Sequence, residues 1–306
     1  MTRPQSETAE YPAAPSVPPG PGPRHALPKV LVGHGAATHP GLVRSNNEDM
    51  YLVVHYGRYL QTLQTNVPAG HILDRYDAEG YGLLVADGVG GHAGGEVASR
   101  LAVTSLVHLV LDTPDWVLLI GEEEQERSAE RTRRWYHQVD AVLRAEAGAD
   151  PSLAGMGTTL TVARNLGPLL ILAHVGDSRA YLLRDGVLFQ LTRDHTLSQD
   201  LADAGGLAPA EVATHVFRHV LTRALGGPKH WKGVDIRFVE LHDADQVLLC
   251  TDGLTDMVDD EAIAATLRKA TTAADACQAL VDRALANGGR DNVTAVLARY
   301  RIAAAT

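Results

Sequence analysis

Four aspartates close or open apolar runs that read as strands. Asp87 follows the run 83–86 and precedes Gly88, and Asp177 follows 169–176 and precedes Ser178. Asp252 follows 247–251 and precedes Gly253, while Asp291 and Asn292 open the last strand after Gly288, Gly289 and Arg290. Singly, such an aspartate is a turn residue, because its short carboxylate bonds local backbone amides. Gathered at one sheet edge, four carboxylates would repel one another unless cations or arginines offset them. All-oxygen ligands select hard cations, Mg²⁺ or Mn²⁺, over zinc or copper. A carboxylate bridging two such ions, roughly 3.5–4 Å apart with a shared water, is an arrangement that attacks phosphorus.

The elements that must carry these residues are short. Strand-like runs at 50–56, 81–86, 158–163, 169–175, 180–183, 187–192, 234–241, 246–251 and 293–302 alternate with glycine, proline or Asp-Gly breaks. Arg184-Asp185-Gly186 is a hairpin turn between two of them. Helical spacing is seen over 96–111 and 260–286, the latter with Cys277, Leu280, Val281, Ala284 and Leu285 on one face. The charged stretch 122–144, with Glu123/Arg127 and Glu130/Arg134 four residues apart, predicts an exposed helix. Hairpin-linked strands with few crossover helices imply an α+β fold of mainly antiparallel sheets covered by helices.

Composition narrows the function. The 306 residues are 45% hydrophobic and 21% charged, enough to bury a sizeable core. No apolar run approaches the roughly 18–20 residues of a spanning helix, and no charged start precedes an apolar leader. Two cysteines are too few for a disulfide scaffold. A net charge of −10 argues against a nucleic-acid binder. The expectation is a soluble, cytoplasmic protein, monomeric, with no nucleic-acid or membrane partner. Nine of the 15 prolines fall in the first 40 residues, so 1–28 reads as a disordered arm before one domain over 29–303.

The loop 88–95 also fits the dinucleotide fingerprint G-x-G-x-x-G/A through Gly88, Gly90 and Ala93. That reading sets Asp87 against a pyrophosphate, and no second strand with a terminal acid follows at the expected distance. It is set aside.

Seven motifs occur in order: Arg44-Ser45-Asn46-Asn47-Glu48-Asp49, Val85-Ala86-Asp87-Gly88-Val89-Gly90-Gly91-His92, Gly157-Thr158-Thr159, Val175-Gly176-Asp177-Ser178-Arg179, Leu221-Thr222-Arg223-Ala224-Leu225-Gly226, Thr251-Asp252-Gly253-Leu254 and Gly289-Arg290-Asp291-Asn292-Val293-Thr294. Over residues 30–301 the chain resembles the bacterial branch of the metal-dependent type 2C Ser/Thr protein phosphatases. The resemblance implies an α/β/β/α sandwich, two packed antiparallel sheets flanked by helix pairs. It implies two Mn²⁺ or Mg²⁺ ions, with a weaker third. Asp87 would bridge the two ions, the Gly88 carbonyl would bind the first, Asp252 and Asp291 would complete the second, and Asp177 would serve the third. Glu48 and Asp49 would hydrogen-bond metal-bound waters, with Asn292 behind the ligands. Arg44 would grip the substrate phosphate through its planar fork, so Asp87, Asp252 and Arg44 are the implied catalytic set.

The implied reaction is hydrolysis of phosphoserine and phosphothreonine in proteins, reversing a Ser/Thr kinase, so the partners are phosphorylated proteins. The alternatives are a phosphohydrolase of small phosphoesters and a catalytically silent phospho-sensing module. Two departures stand out. Val89 replaces the histidine that many eukaryotic members carry after Asp-Gly, leaving His92 as the neighbouring imidazole. Extra length falls at 55–80 and 114–134. The family's flap corresponds to about 195–231, where Arg218, Arg223, Lys229 and Lys232 accumulate with His215, His219 and His230. No acidic residue lies between Val212 and Val234, a reversal expected to draw in anionic phosphopeptides.

Overall fold

The run Leu83-Leu84-Val85-Ala86 has no polar position, so both faces of its strand must be covered. The computed structural model, which describes residues 29–68, 71, 75–90, 94–113, 122–227 and 233–302, supplies a sheet on one side and helices on the other. Leu83 and Val85 pack between two sheets, while Leu84 and Ala86 pack under helices. The arm 1–28 and His92 lie outside the described residues.

One sheet runs β1 (Val30–His39), β11 (Val293–Ile302), β10 (Gln246–Cys250), β7 (Arg179–Arg184) and β8 (Val187–Gln190). The other runs β2 (Asp49–Gln61), β3 (Arg75–Val89), β5 (Leu160–Leu166), β6 (Leu169–Val175) and β9 (Asp235–Glu240), with β4 (Gly157–Thr158) on the end of β3. Every pairing is antiparallel. Helices α1 (Gly94–Leu111) and α2 (Glu122–Ala149) cover the second sheet, and α5 (Asp260–Lys269) and α6 (Ala273–Ala286) cover the first. This is the expected α/β/β/α sandwich. No helix among the described residues is long and apolar enough to cross a membrane.

Four features differ from the sequence reading. The strand β1 was not anticipated, because Gly33 and Gly35 interrupt its apolar pattern. The stretch 260–286 is two helices, since Thr272 caps α6: its Oγ1 accepts from the Asp275 amide at 3.0 Å and Asp275 returns the bond. Helix α2 is not simply exposed; Trp135, Tyr136, Val139 and Leu143 are buried on one face beneath its charges. The extra length at 55–80 continues the β2–β3 ladder out to Gln61 opposite Arg75. The other insertion is divided: 114–121 lies outside the described residues and 122–134 is the first half of α2.

Antiparallel registry sets the site. Asp87 at the end of β3 stands opposite Asp49 at the start of β2, and β6 ends beside the start of β5. In the other sheet β10 ends where β11 and β7 begin, with Cys250 opposite both Ala295 and Arg179. The chain then turns into the short helix α4 (Asp252–Thr255). Gly253 makes this close joint possible, because a Cβ there would lie 1.9 Å from the Asn292 carbonyl oxygen. Gly253→Ala should therefore destabilise the fold by about 1–3 kcal/mol through overpacking. Urea unfolding checks this; an unchanged midpoint would show that the joint yields freely.

Candidate active site

Asp87, Asp177, Asp252 and Asp291 all line one open pocket of about 1050 Å³. Arg44, Glu48, Gly88 and Asn292 line it too, so the structure brings these predicted residues together. Asp49 sits behind it, buried. The Asp49 Oδ2 accepts from the Thr251 and Thr294 hydroxyls at 2.8 and 2.7 Å. Its Oδ1 is buried with no hydrogen-bond partner.

The glycines at 88 and 95 serve close packing. A Cβ on Gly88 would lie 2.0 Å from the Gly95 carbonyl oxygen, and one on Gly95 would lie 2.4 Å from Glu48 Oε2. The end of β3, the start of α1 and Glu48 are thus stacked against one another. Asn292 ties the same region: its Nδ2 donates to the Pro40 and Asn46 carbonyls, and its Oδ1 accepts from the Glu48 amide at 2.7 Å.

Electrostatics in the pocket are strained. Burial pushes the Asp87 carboxyl well above its usual range, and Asp49, Asp252, Asp177 and Asp291 add to the shift. Burial likewise raises Asp177, with Asp252 and Asp194 contributing. Asp49 is pushed up to about 7, by burial first, against the two threonine hydrogen bonds. Among the described residues no three histidine, cysteine or acidic side chains stand placed to hold a metal ion together. Two of the carboxylates instead face nearby bases. Arg44 Nη2 donates to Asp291 Oδ2 at 2.6 Å, and His219 Nδ1 stands 3.6 Å from Asp252 Oδ2. An open, oxygen-rich pocket with buried carboxylates lacking full compensation fits hard divalent cations.

Asp256 escaped the sequence reading, which named Arg218, His219 and Arg290 without placing them in this pocket. Asp256 follows Asp252 by one helical turn, a spacing that was visible, and its Oδ2 lies 3.2 Å from His219 Nε2. Asp252 and then Asp256 raise the His219 imidazole against its partial burial. Arg290 and Arg218 also line the pocket, as does Val89, which has no proton to give. Arg218 and Arg290 form no ion pair among the described residues.

The expected flap leaves the sandwich beside Asp177. The His195 amide donates to the Gly176 carbonyl, the Gly176 amide donates to His195 Nδ1, and Thr196 pairs with Leu221. With Nδ1 an acceptor, the His195 Nε2–H donates to Asp235 Oδ2 at 3.0 Å. Arg179 grips Asp194 through Nε and Nη2 at 3.0 and 2.7 Å. Of the expected basic patch, Arg218 lines the pocket. Arg223 is committed to Asp235 at 2.8 Å, and Lys229, His230 and Lys232 lie outside the described residues.

Comparison with known proteins gives the same pattern. The family model described as Protein phosphatase 2C matches residues 73–288. Serine/threonine protein phosphatase PstP of Mycobacterium tuberculosis is 38% identical over 269 residues, 88% of this chain and 45% of that protein. The chain thus spans about half the length of the PstP sequence it matches. Serine/threonine phosphatase stp of Listeria monocytogenes is 37% identical over 70% of this chain and 82% of its own length. The crystal structure of the PstP catalytic domain with two manganese ions superposes with a TM-score of 0.69 at 35% identity, covering 89% of this chain and all of that one.

His174 at the flap's root gives a pH test. Its Nε2 lies 3.1 Å from the Arg193 carbonyl, which can only accept, so Nδ1 accepts from the Thr161 hydroxyl at 2.8 Å. Burial, then the nearby His195, lowers its pKa from 6.5 to about 3. The unfolded chain therefore takes up a proton below pH 6.5 that the folded chain refuses, and stability falls on acidification. From pH 7 to pH 5 this one group should remove about 2 kcal/mol. Urea midpoints in chelator should drop less steeply for His174→Gln than for the wild type; parallel slopes would rule the assignment out.

Proposed function

The chain belongs to the protein phosphatase 2C family, and from that membership we propose that it hydrolyses phosphoserine and phosphothreonine in proteins, with divalent cations. The convergence of four strand-end aspartates on one pocket carries the reading. Asp87, Asp252, Asp291 and the Gly88 carbonyl would hold two Mn²⁺ or Mg²⁺ ions, with Asp177 at a weaker third position. The PstP domain bound to two manganese ions supports that stoichiometry. Bound there, the ions supply a water deprotonated near neutral pH and offset charge on the phosphoryl oxygens.

The chain's own residues do the rest. Arg44 gives one Nη2 N–H to Asp291, and its second Nη2 N–H, with the neighbouring nitrogen on that edge, would fork onto a phosphate. Arg218 and Arg290 reach the same pocket and add positive charge for the equatorial oxygens. Asp49, anchored by Thr251 and Thr294, keeps Oδ1 as a hydrogen-bond acceptor for water at the site. Glu48 is fixed by Asn46 and Asn292 to do the same. A phosphorylated protein presupposes a kinase reaction, so the setting we propose is signalling that opposes a Ser/Thr kinase. Two buried free thiols suit the reducing cytoplasm.

A phosphothreonine peptide should be turned over with Mn²⁺ or Mg²⁺ and stop in chelator, while free nucleotides are turned over far more slowly. Asp252→Asn keeps the shape and removes a ligand charge; activity should vanish with the unfolding midpoint nearly kept. Full activity in chelator would overturn the two-cation reading. Arg44→Ala should raise KM and lower kcat/KM by about one to two orders of magnitude, from loss of roughly 1.5–3 kcal/mol of charge-assisted bonding. An unchanged kcat/KM would remove Arg44 from the substrate.

A further inference from the structure

Resting on phosphopeptide hydrolysis as proposed above, we propose that the site selects phosphorylated segments flanked by large apolar residues. Leu42 and Val43 on one wall, and Val216, Phe217 and Val220 on the flap, form the rim that seats them. These side chains are 65%, 70%, 77%, 41% and 41% exposed. Scattered exposed apolar residues need no explanation, but a group bordering a concave polar site marks a binding surface. Val43 lines the catalytic pocket beside Arg44, and Arg218, His219 and Leu221 line it from the flap. The apolar residues are the sequence neighbours of those lining residues.

The rim is held in place. The Leu42 amide donates to the Gly289 carbonyl at 2.7 Å, two residues before Asp291. The Phe217 ring meets His215 edge-on at 5.3 Å, and the Phe217 amide donates to His215 Nδ1 at 3.2 Å. None of the five belongs to the buried core.

Reach and charge point to the occupant. An extended peptide advances about 3.3 Å per residue, so side chains one to three positions from the phosphate fall within roughly 10 Å of it. A bound phosphate would meet Arg44, Arg218 and Arg290; with Asp87, Asp177, Asp252 and Asp291 given to cations, the pocket's remaining acids are Glu48, Glu96 and Asp256. Acidic flanks would face those carboxylates. Arg223, the other described arginine of the flap's basic run, is already neutralised by Asp235. Apolar flanks meet no such penalty and cover the rim from water.

The test compares kcat/KM of the full chain with Mn²⁺ on phosphothreonine peptides whose flanks are leucine and phenylalanine, serine and glycine, or aspartate and glutamate. The aryl substrate p-nitrophenyl phosphate, which has no flanks, is the control. The apolar peptide should exceed the other two by about tenfold, close to 1.4 kcal/mol. Phe217→Ser and Val216→Ser should each lower that preference through KM, with aryl phosphate hydrolysis unchanged, and Phe217→Leu should restore most of it. Equal rates on all three peptides, or a preference for the acidic one, would overturn the apolar rim while leaving phosphopeptide hydrolysis standing. Hydrolysis of the aryl phosphate with no peptide turned over would instead sink the parent reading.

Discussion

The structure is organised around like charges held where they would not choose to be. Asp87 and Asp177 are driven toward the neutral form by burial and by one another's neighbours, and Asp49 behind them is raised to about 7. A flexible chain would relieve that repulsion by moving the carboxylates apart. Here each is fixed to the end or the beginning of a strand in an antiparallel ladder, and the ladders are clamped in four layers. Cations that bind this arrangement but not the unfolded chain stabilise the fold by mass action. The repulsion built into the pocket is thus what a bound hard cation would offset.

Rigidity at the open end comes from a few polar contacts spanning both sheets. Thr251 closes β10 and Thr294 sits in β11, yet both hydroxyls converge on Asp49 of β2. Asn292 needs an amide, since it donates to two carbonyls and accepts from the Glu48 amide at once. A carboxylate there would keep the acceptor and lose both donors. Asn292 is therefore a mechanical tie: it locks the 40–48 turn, which carries Arg44 and Glu48, onto the start of β11. Removing water from these groups without full pairing is costly, so their partners are specified closely.

Much of this was legible because apolar runs that end in Asp are a one-dimensional pattern. The strands 169–175 and 293–302 agree with the structure to the residue, and the paired sheets and flanking helices follow from hairpin turns and helical spacing. What escaped was set by tertiary context. Gly33 and Gly35 hid β1, whose ten residues gain their partners only from β11, more than 250 positions away. The break at Thr272 carried a capping signal, T-x-x-D, but apolar spacing runs through it on both sides. Charge density on α2 concealed Trp135, Tyr136 and Val139, because long charged side chains flank a buried stripe without interrupting it. His219 and Asp256 were readable as residues; their meeting over Asp252 depends on how a loop folds back.

The flap shows why a count of charges in sequence is not a surface potential. Four cations without an intervening acid look like an attractor for anions. In the fold, Asp235 lies just beyond that run and returns to its root, where it accepts from both Arg223 and His195. That pairing joins the flap's two ends across the Gly176 turn, one residue before Asp177. Arg223 therefore serves attachment, and among the described residues of the flap Arg218 is the arginine left without an ion pair. A surface pair of this kind contributes little to stability by itself. Its larger effect is geometric: it sets which flap residues can face the pocket.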